Sequence, residues 1–291
     1  VPPQVFFLAA RPGQRLCVHH APQTGAPRGL VLYLHPWAEE MNKSRRMSAL
    51  QARALAQSGF AVLQIDLHGC GDSSDTWAEA SWDGWVDDAQ QALAWLNARW
   101  PGSTELPLWL WGLRAGCLLA SQLAARLDRP CHLLLWQPAT AGKQLLQQFL
   151  RLKAAADLQG DAKSILAATR AGLAAGQTQQ VAGYALSPAL ASGLELAQLA
   201  PPPGHEHTAA GAQASVVWLE VSTRDDASLL PASQTLIAAW TAAGHGVHSA
   251  VVHGPAFWQT QEIEDAPALL DATLAALQQT QHAHPPHGVP A

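Results

Sequence analysis

Between residues 108 and 120 the chain reads LWLWGLRAGCLLA: a short apolar run, a turn bracketed by Gly112 and Gly116, and the small-residue start of a helix. A strand, a sharp turn and a helix start together lift the central side chain into the open, and flanking glycines allow the close passage. In one large class of enzymes a serine stands there and attacks esters or amides; here the position is Arg114. A guanidinium stays protonated at ordinary pH and has no lone pair with which to attack a carbonyl. It suits an anion instead, because the free N–H groups and dipole of a helix start favour negative charge and the guanidinium adds a fork that fits carboxylate or phosphate. Charge-assisted hydrogen bonds of roughly 1.5–3 kcal/mol each, before desolvation is subtracted, give such a receptor its strength. The plainer alternative is that Arg114 pairs with Glu39, Glu40 or Asp225 and simply fills the position.

Other groups could supply the chemistry that Arg114 lacks. Cys117 lies near the first helical turn, where a helix N-terminus lowers a thiol's pKa, and with His253 and Asp225 or Asp226 it would form a thiol triad. A residue at that spacing ordinarily faces the sheet, as an inert buried cysteine does. His253 closes the last strand-like run and is the candidate base, with Asp225 to orient it; the alternatives are a histidine satisfied by a backbone carbonyl and an aspartate that caps a turn. Glu39 and Glu40, in HPWAEE, could share a proton as acid and base, or one of them could activate water. Salt bridges to Lys43, Arg45, Arg46 or Arg114 are their structural alternative. His35 at another strand end, next to Pro36 and Trp37, could donate to an oxyanion or ligand, with loop packing as its structural alternative. Leu113, Trp37 and Trp258 complete the expected substrate-binding set, with core packing as the ordinary role of each tryptophan. Ser73 and Ser222 sit on strand-end loops without an elbow and read as turn or cap residues.

These residues need a frame. Strands are expected at about 5–9 and 15–20, joined by RPGQ, and then at 29–35, 60–66, 107–112, 131–137, 215–221 and 247–254. The later runs are apolar throughout and alternate with helical segments near 44–58, 82–99, 114–127, 231–243 and 265–279, the pattern of a parallel sheet covered on both faces. Such sheets carry their active residues at the carboxyl ends of the strands. Residues 139–200 read as mostly helical and interrupt the alternation, and PPPGHEHTAAGAQ (201–213) is a polar linker back to the sheet. The expected organisation is therefore a core over 1–138, a helical cap over 139–205, a second core segment over 206–281 and a disordered tail over 282–291.

The order of the motifs resembles the α/β-hydrolase superfamily, with a mostly parallel eight-stranded sheet flanked by helices and an inserted helical cap. YLHPWAEE follows the first long strand, DLHGCGDS resembles the D-x-x-G-x-G-x-S loop, GLRAG stands at the nucleophile elbow, STRDDASLLP resembles the acid loop, and HGPAFW ends the last strand where the histidine is expected. After the final glycine, however, the chain offers Ala256 and Phe257. HPWAEEMNKSRRM, DLHGCGDSS, WLWGLRAGCLLA, LLLWQP, QQFLRLK and FWQTQEIE narrow the resemblance to the type-two hydrolase associated with the exosortase A system. That resemblance implies a bacterial setting beside exopolysaccharide and PEP-CTERM sorting genes, and an ester or acyl substrate, without fixing which one.

Bulk properties exclude several other classes. The 291 residues carry a net charge of −5 with scattered cations apart from NKSRRM (42–47), a solvated helix start, so a nucleic-acid footprint is absent. The four cysteines are far apart and form neither a zinc signature nor a disulfide framework, and no metal or cofactor is expected. No apolar run approaches the ~20 residues that span a bilayer, and VPPQVFFLAARPGQ lacks a basic region followed by a long apolar stretch. The expectation is a cytoplasmic protein, open to homodimer formation, whose partner is a small anionic or acyl molecule.

Overall fold

The computed structural model describes residues 2–23, 25–156, 161–203 and 214–282. Strands β1 (Gln4–Ala9) and β2 (Gln14–His20) form the opening antiparallel hairpin, with Phe6 opposite Cys17. The chain continues through β3 (Gly29–Leu34), α1 (Glu39–Gln57), β4 (Phe60–Ile65), α2 (Trp82–Arg99), β5 (Leu108–Leu113), α3 (Ala115–Ala125) and β6 (His132–Trp136). Next come α4 (Gly142–Ala156), α5 (Ala162–Ala174), β7 (Gln179–Val181), β8 (Tyr184–Leu186) and α6 (Pro188–Leu196). The last elements are β9 (Ser215–Ser222), α7 (Pro231–Ala242), β10 (Gly246–His253) and α8 (Pro267–His282). Among the described residues the main sheet has eight strands in the order β1-β2-β4-β3-β5-β6-β9-β10. The pairs β1–β2 and β2–β4 are antiparallel, and every pair from β4 to β10 is parallel.

The reason for the uninterrupted apolar runs is visible in the packing. Every residue of β3, β5 and β6 is buried, because helices cover both faces. Successive residues divide between two cores: Leu30, Leu32, Leu110 and Leu135 pack on the α2–α3 side, while Val31, Tyr33, Trp111 and Trp136 pack on the α1–α8 side. Trp82, Trp85, Trp109, Trp111, Trp136, Trp218 and Trp240 are fully buried, so most of the large aromatic content is core.

Two local expectations are corrected. Helix α1 starts at Glu39 rather than 44, which puts Glu39 and Glu40 in its first turn, where carboxylates complement the helix dipole. NKSRRM is therefore inside the helix, and two of its cations are committed: Arg45 grips Asp66 with both terminal nitrogens at 3.2 and 2.8 Å, and Arg46 binds Asp265 at 2.8 Å. Between β6 and β9 the chain is mostly helical through α4, α5 and α6, and it adds an antiparallel hairpin of β7 and β8, turned by Ala182 and Gly183 at φ 48° and 87°. Residues 204–213 of the expected linker and 283–291 of the expected tail lie outside the described residues, while His282 ends α8. Among the described residues, no helix is long and apolar enough to cross a membrane, and no cluster of His, Cys, Asp and Glu could hold a metal ion.

Candidate active site at the turn between β5 and α3

Arg114 joins β5 to α3 with φ 55° and ψ −114°, a conformation that costs a non-glycine residue on the order of 1–3 kcal/mol. The surroundings hold it there. Its N–H donates to Trp136 O at 3.0 Å, and its carbonyl accepts from Cys117 N at 3.1 Å and Ala139 N at 3.3 Å. Glycines are required on both sides by close backbone approach: a Cβ on Gly112 would stand 2.5 Å from Cys117 N, and one on Gly116 would overlap the Leu34 carbonyl of β3. The first two residues of the helix that follows, Ala115 and Gly116, have no intrahelical acceptor for their N–H groups.

The Arg114 side chain reaches α1. Its Nε donates to Glu40 Oε1 at 3.2 Å, and its Cζ lies 5.9 Å from the centroid of the Trp258 ring, within cation–π range. The two charged side chains are only 18 % and 21 % exposed. Burial pushes the Glu40 carboxyl above its ordinary range, and the Arg114 charge and hydrogen bond pull it back only partly. Glu40 Oε2 is buried and has no hydrogen-bond partner among the described residues. Entry into α1 is as strained as the turn itself, with Ala38 at φ 51° and ψ −130°.

The neighbouring carboxylates go separate ways. Glu39 Oε1 accepts from the Tyr184 hydroxyl of β8 at 2.9 Å, so Glu39 ties the β7–β8 hairpin to α1 while Glu40 holds Arg114. The Tyr184 ring in turn packs tilted against Trp77, with centroids 4.4 Å apart, and Trp77 lies 4.5 Å from Trp37. Sequence reasoning did not include Tyr184 or Trp77. The usable signal was the short VAGYAL segment, a two-residue Ala-Gly turn carrying one of only two tyrosines in the chain.

The remaining expected residues fall into different environments. His35 is buried, its Nδ1 donating to Pro36 O at 2.8 Å and its Nε2 accepting from Leu67 N at 3.3 Å, so both ring nitrogens serve the loop and neither is left to face an oxyanion. Burial also lowers its pKa, which favours this neutral form. Leu113 is wholly buried beneath the turn, and Trp37 and Trp258 are each 4 % exposed. Cys117 is wholly buried against the sheet, with its thiol donating to Trp136 O at 3.7 Å, and burial raises its pKa well above the ordinary thiol range. That places it with the inert cysteines rather than with a reactive one. His253 Nε2 stands 3.7 Å from Asp225 Oδ1, but these side chains are 65 % and 98 % exposed, on the rim formed by the ends of β9 and β10. The structure thus brings Arg114, Glu40 and Trp258 together, and joins Glu39 to the hairpin. It does not bring Cys117 into a pair with His253 and Asp225.

Ser73 is structural: its Oγ accepts from Leu16 N at 2.9 Å and contacts Asp66 O. Beside it the ion pair of Arg15 and Asp88, 2.8 Å apart and almost fully buried, anchors the glycine loop, with Asp88 also accepting from His68 N.

Residues 25–185 match the family described as serine aminopeptidase, S33. Human protein ABHD12B is 32 % identical over 143 residues, which cover 42 % of this chain and 37 % of that relative's length, so the chain spans little more than a third of it. Among solved structures, a soluble variant of monoglyceride lipase from Saccharomyces cerevisiae in complex with a substrate analog superposes with a TM-score of 0.63 at 15 % identity, covering 99 % of this chain and 97 % of that one. Est1E from Butyrivibrio proteoclasticus gives 0.60 at 13 % identity, covering 96 % and 99 %. At these identities the likeness concerns the fold.

Proposed function

The chain belongs to the serine aminopeptidase S33 family within the α/β-hydrolase superfamily, and from that premise we propose that it is a hydrolase of an ester or acyl bond in which Arg114 stands in the serine position and water is the nucleophile. One observation carries this reading: the buried, unpartnered Oε2 of Glu40, whose other oxygen is held by Arg114. On this reading the unsatisfied oxygen takes a proton from a water that the site opens to admit, and the raised pKa brings the carboxyl closer to the range of an effective base. Water's oxygen bonds to the acyl carbon while its proton passes to Glu40. Collapse of the tetrahedral intermediate breaks the bond to the leaving oxygen, which takes that proton from Glu40. Arg114 and the first amides of α3 stabilise the negative charge. The described residues of 139–205 act as the cap on this reading, with the β7–β8 hairpin fastened through Tyr184 and Glu39. The motifs shared with the type-two exosortase A-associated hydrolase support a bacterial exopolysaccharide setting, and the free buried cysteines suit the reducing cytoplasm.

The test is hydrolysis of short p-nitrophenyl esters in ¹⁸O-water, with mass spectrometry of the protein during turnover. Glu40→Gln is expected to lower kcat at least ~100-fold, Cys117→Ala to leave it unchanged, and the protein to stay unacylated. An acyl adduct on Cys117 or on any serine, or full activity in Glu40→Gln, overturns the reading. A second reading is favoured by the exposed, loosely paired His253 and Asp225: a hydrolase-fold protein that binds an anionic ligand at Arg114 without turnover. An absence of hydrolysis together with an Arg114-dependent rise of Tm with carboxylates selects it.

A further inference from the structure

The two edges of the main sheet are finished differently. At one end β10 exposes His248 and His253 and no large apolar side chain. At the other, β1 reads QVFFLA, with Val5 61 % and Phe7 51 % exposed and Ala9 exposed beside them. Natural edge strands are kept from further pairing by lysine, proline, a bulge or very short length. None of these devices is present within β1: it carries no charge and no proline, and its register runs unbroken from Gln4 opposite His19 to Ala9 opposite Gln14. Among the described residues, no strand pairs with its outer side.

The hydrogen-bonding groups of this edge can be followed one by one. Ala10 N donates to Gly13 O at 2.9 Å, while Gln14 N and Leu16 N turn away from β1 to Ser74 Oγ and Ser73 Oγ. An antiparallel ladder alternates, so Gln4, Phe6 and Leu8 direct their N–H and C=O groups to β2, and Val5, Phe7 and Ala9 direct theirs outward. The same three side chains share one face of the sheet, where the half-buried Leu16 and Val18 of β2 extend the apolar surface. On the opposite face Phe6 is fixed against Trp95, with ring centroids 4.4 Å apart. The edge is an ordered, uncharged template for one more strand.

We propose that β1 is a dimerisation edge whose occupant is a second copy of this chain, its β1 paired antiparallel across a two-fold axis at Phe7 so that two eight-stranded sheets become one. A two-fold contact sets a surface against itself, and an uncharged strand allows this without opposing like charges. The hydrogen bonds select the axis. Centred on Phe7, the pairing sets Phe7 against its own copy and Val5 against Ala9 of the second copy, which satisfies all three outward residues on both chains. Centred on Phe6, it would set Ala9 against Pro3, which has no N–H to give. In the Phe7 register Arg11 falls opposite Pro3 rather than opposite another cation. The edge shares no residue with the turn at Arg114, so the proposal stands independently of the hydrolase reading.

Sedimentation equilibrium of the full chain over a wide concentration range tests the dimer. One strand pair is small beside the ~800 Å² per partner of a standard interface, so a weak, reversible and concentration-dependent dimer is expected. Phe7→Lys opposes two like charges on the axis and is expected to weaken the dimer at least ~10-fold while leaving the melting temperature of the monomer unchanged. The register is read with dibromobimane, which fluoresces once both its arms are alkylated by neighbouring thiols; the four native cysteines are buried and spared. Phe7→Cys is expected to give a bridged, fluorescent dimer. Val5→Cys is expected to give none, because the two copies of residue 5 stand four residues apart along the strands, about 14 Å. A monomer at every concentration, with or without a foreign peptide held on the edge, overturns the proposal. So does an equally strong dimer in Phe7→Lys, or bridging at residue 5 rather than residue 7.

Discussion

Replacing Glu40 by Gln sets two large electrostatic effects against each other. At 3.2 Å from Arg114, and with an effective dielectric of ~20, the attraction between the charges is about 5 kcal/mol. Ion-pair counting on that basis makes the substitution destabilising. Yet the Glu40 carboxyl is raised rather than depressed, because the burial penalty on its charge exceeds what Arg114 returns. A carboxyl whose folded pKa lies above its unfolded one contributes stability below the unfolded value, and that contribution is lost as pH rises through the folded value. Gln resembles the protonated form, so Glu40→Gln should match the parent near pH 4 and melt above it at pH 8. Each tenfold difference between the two protonation equilibria is worth about 1.4 kcal/mol, and 1 kcal/mol moves Tm by roughly 2–4 °C in chains of this size. Differential scanning calorimetry from pH 4 to 8 makes the comparison, and an upward shift of a few degrees that grows with pH is the expected result. A variant that melts lower than the parent at pH 8 refutes the reasoning, since Arg114 would then outweigh desolvation. The same variant is expected to lose hydrolysis, so Glu40 would give up stability in exchange for a base where catalysis needs one.

Two further outcomes follow from packing. Gly116→Ala forces a methyl into the Leu34 carbonyl, a backbone atom that cannot swing away, and should cost about 3 kcal/mol or more in urea unfolding; a loss below about 1 kcal/mol would mean that β3 and α3 can separate freely. All four cysteines are buried and free, with burial pushing Cys17, Cys70 and Cys131 up to about 12 and Cys117 higher still. Native protein at pH 8 should therefore show no fast reaction with Ellman's reagent and release all four thiols in guanidinium; rapid modification of Cys117 would return it to the list of nucleophiles.

Local chemistry along the chain was enough for the sheet, the turn and the absence of a serine. Runs such as GLVLYLH and PLWLWG have no polar alternation, so only a strand covered on both faces accommodates them, and Gly112 and Gly116 mark a backbone crossing whatever lies between them. The early start of α1 was less legible, because Ala38 supplies no capping side chain and its strained entry is held by the fold. Partner choice was not legible at all. Glu40 had four cations within reach by sequence, and it meets Arg114, 74 positions away, only because closure of β3 against β5 sets α1 over that turn. Charge attraction is nonselective in a chain, whereas burial, a protonation range and an unpaired oxygen exist only once the surrounding layers exclude water. The roles of His35, spent on its own loop, and of His253, left at the rim, were decided in the same way.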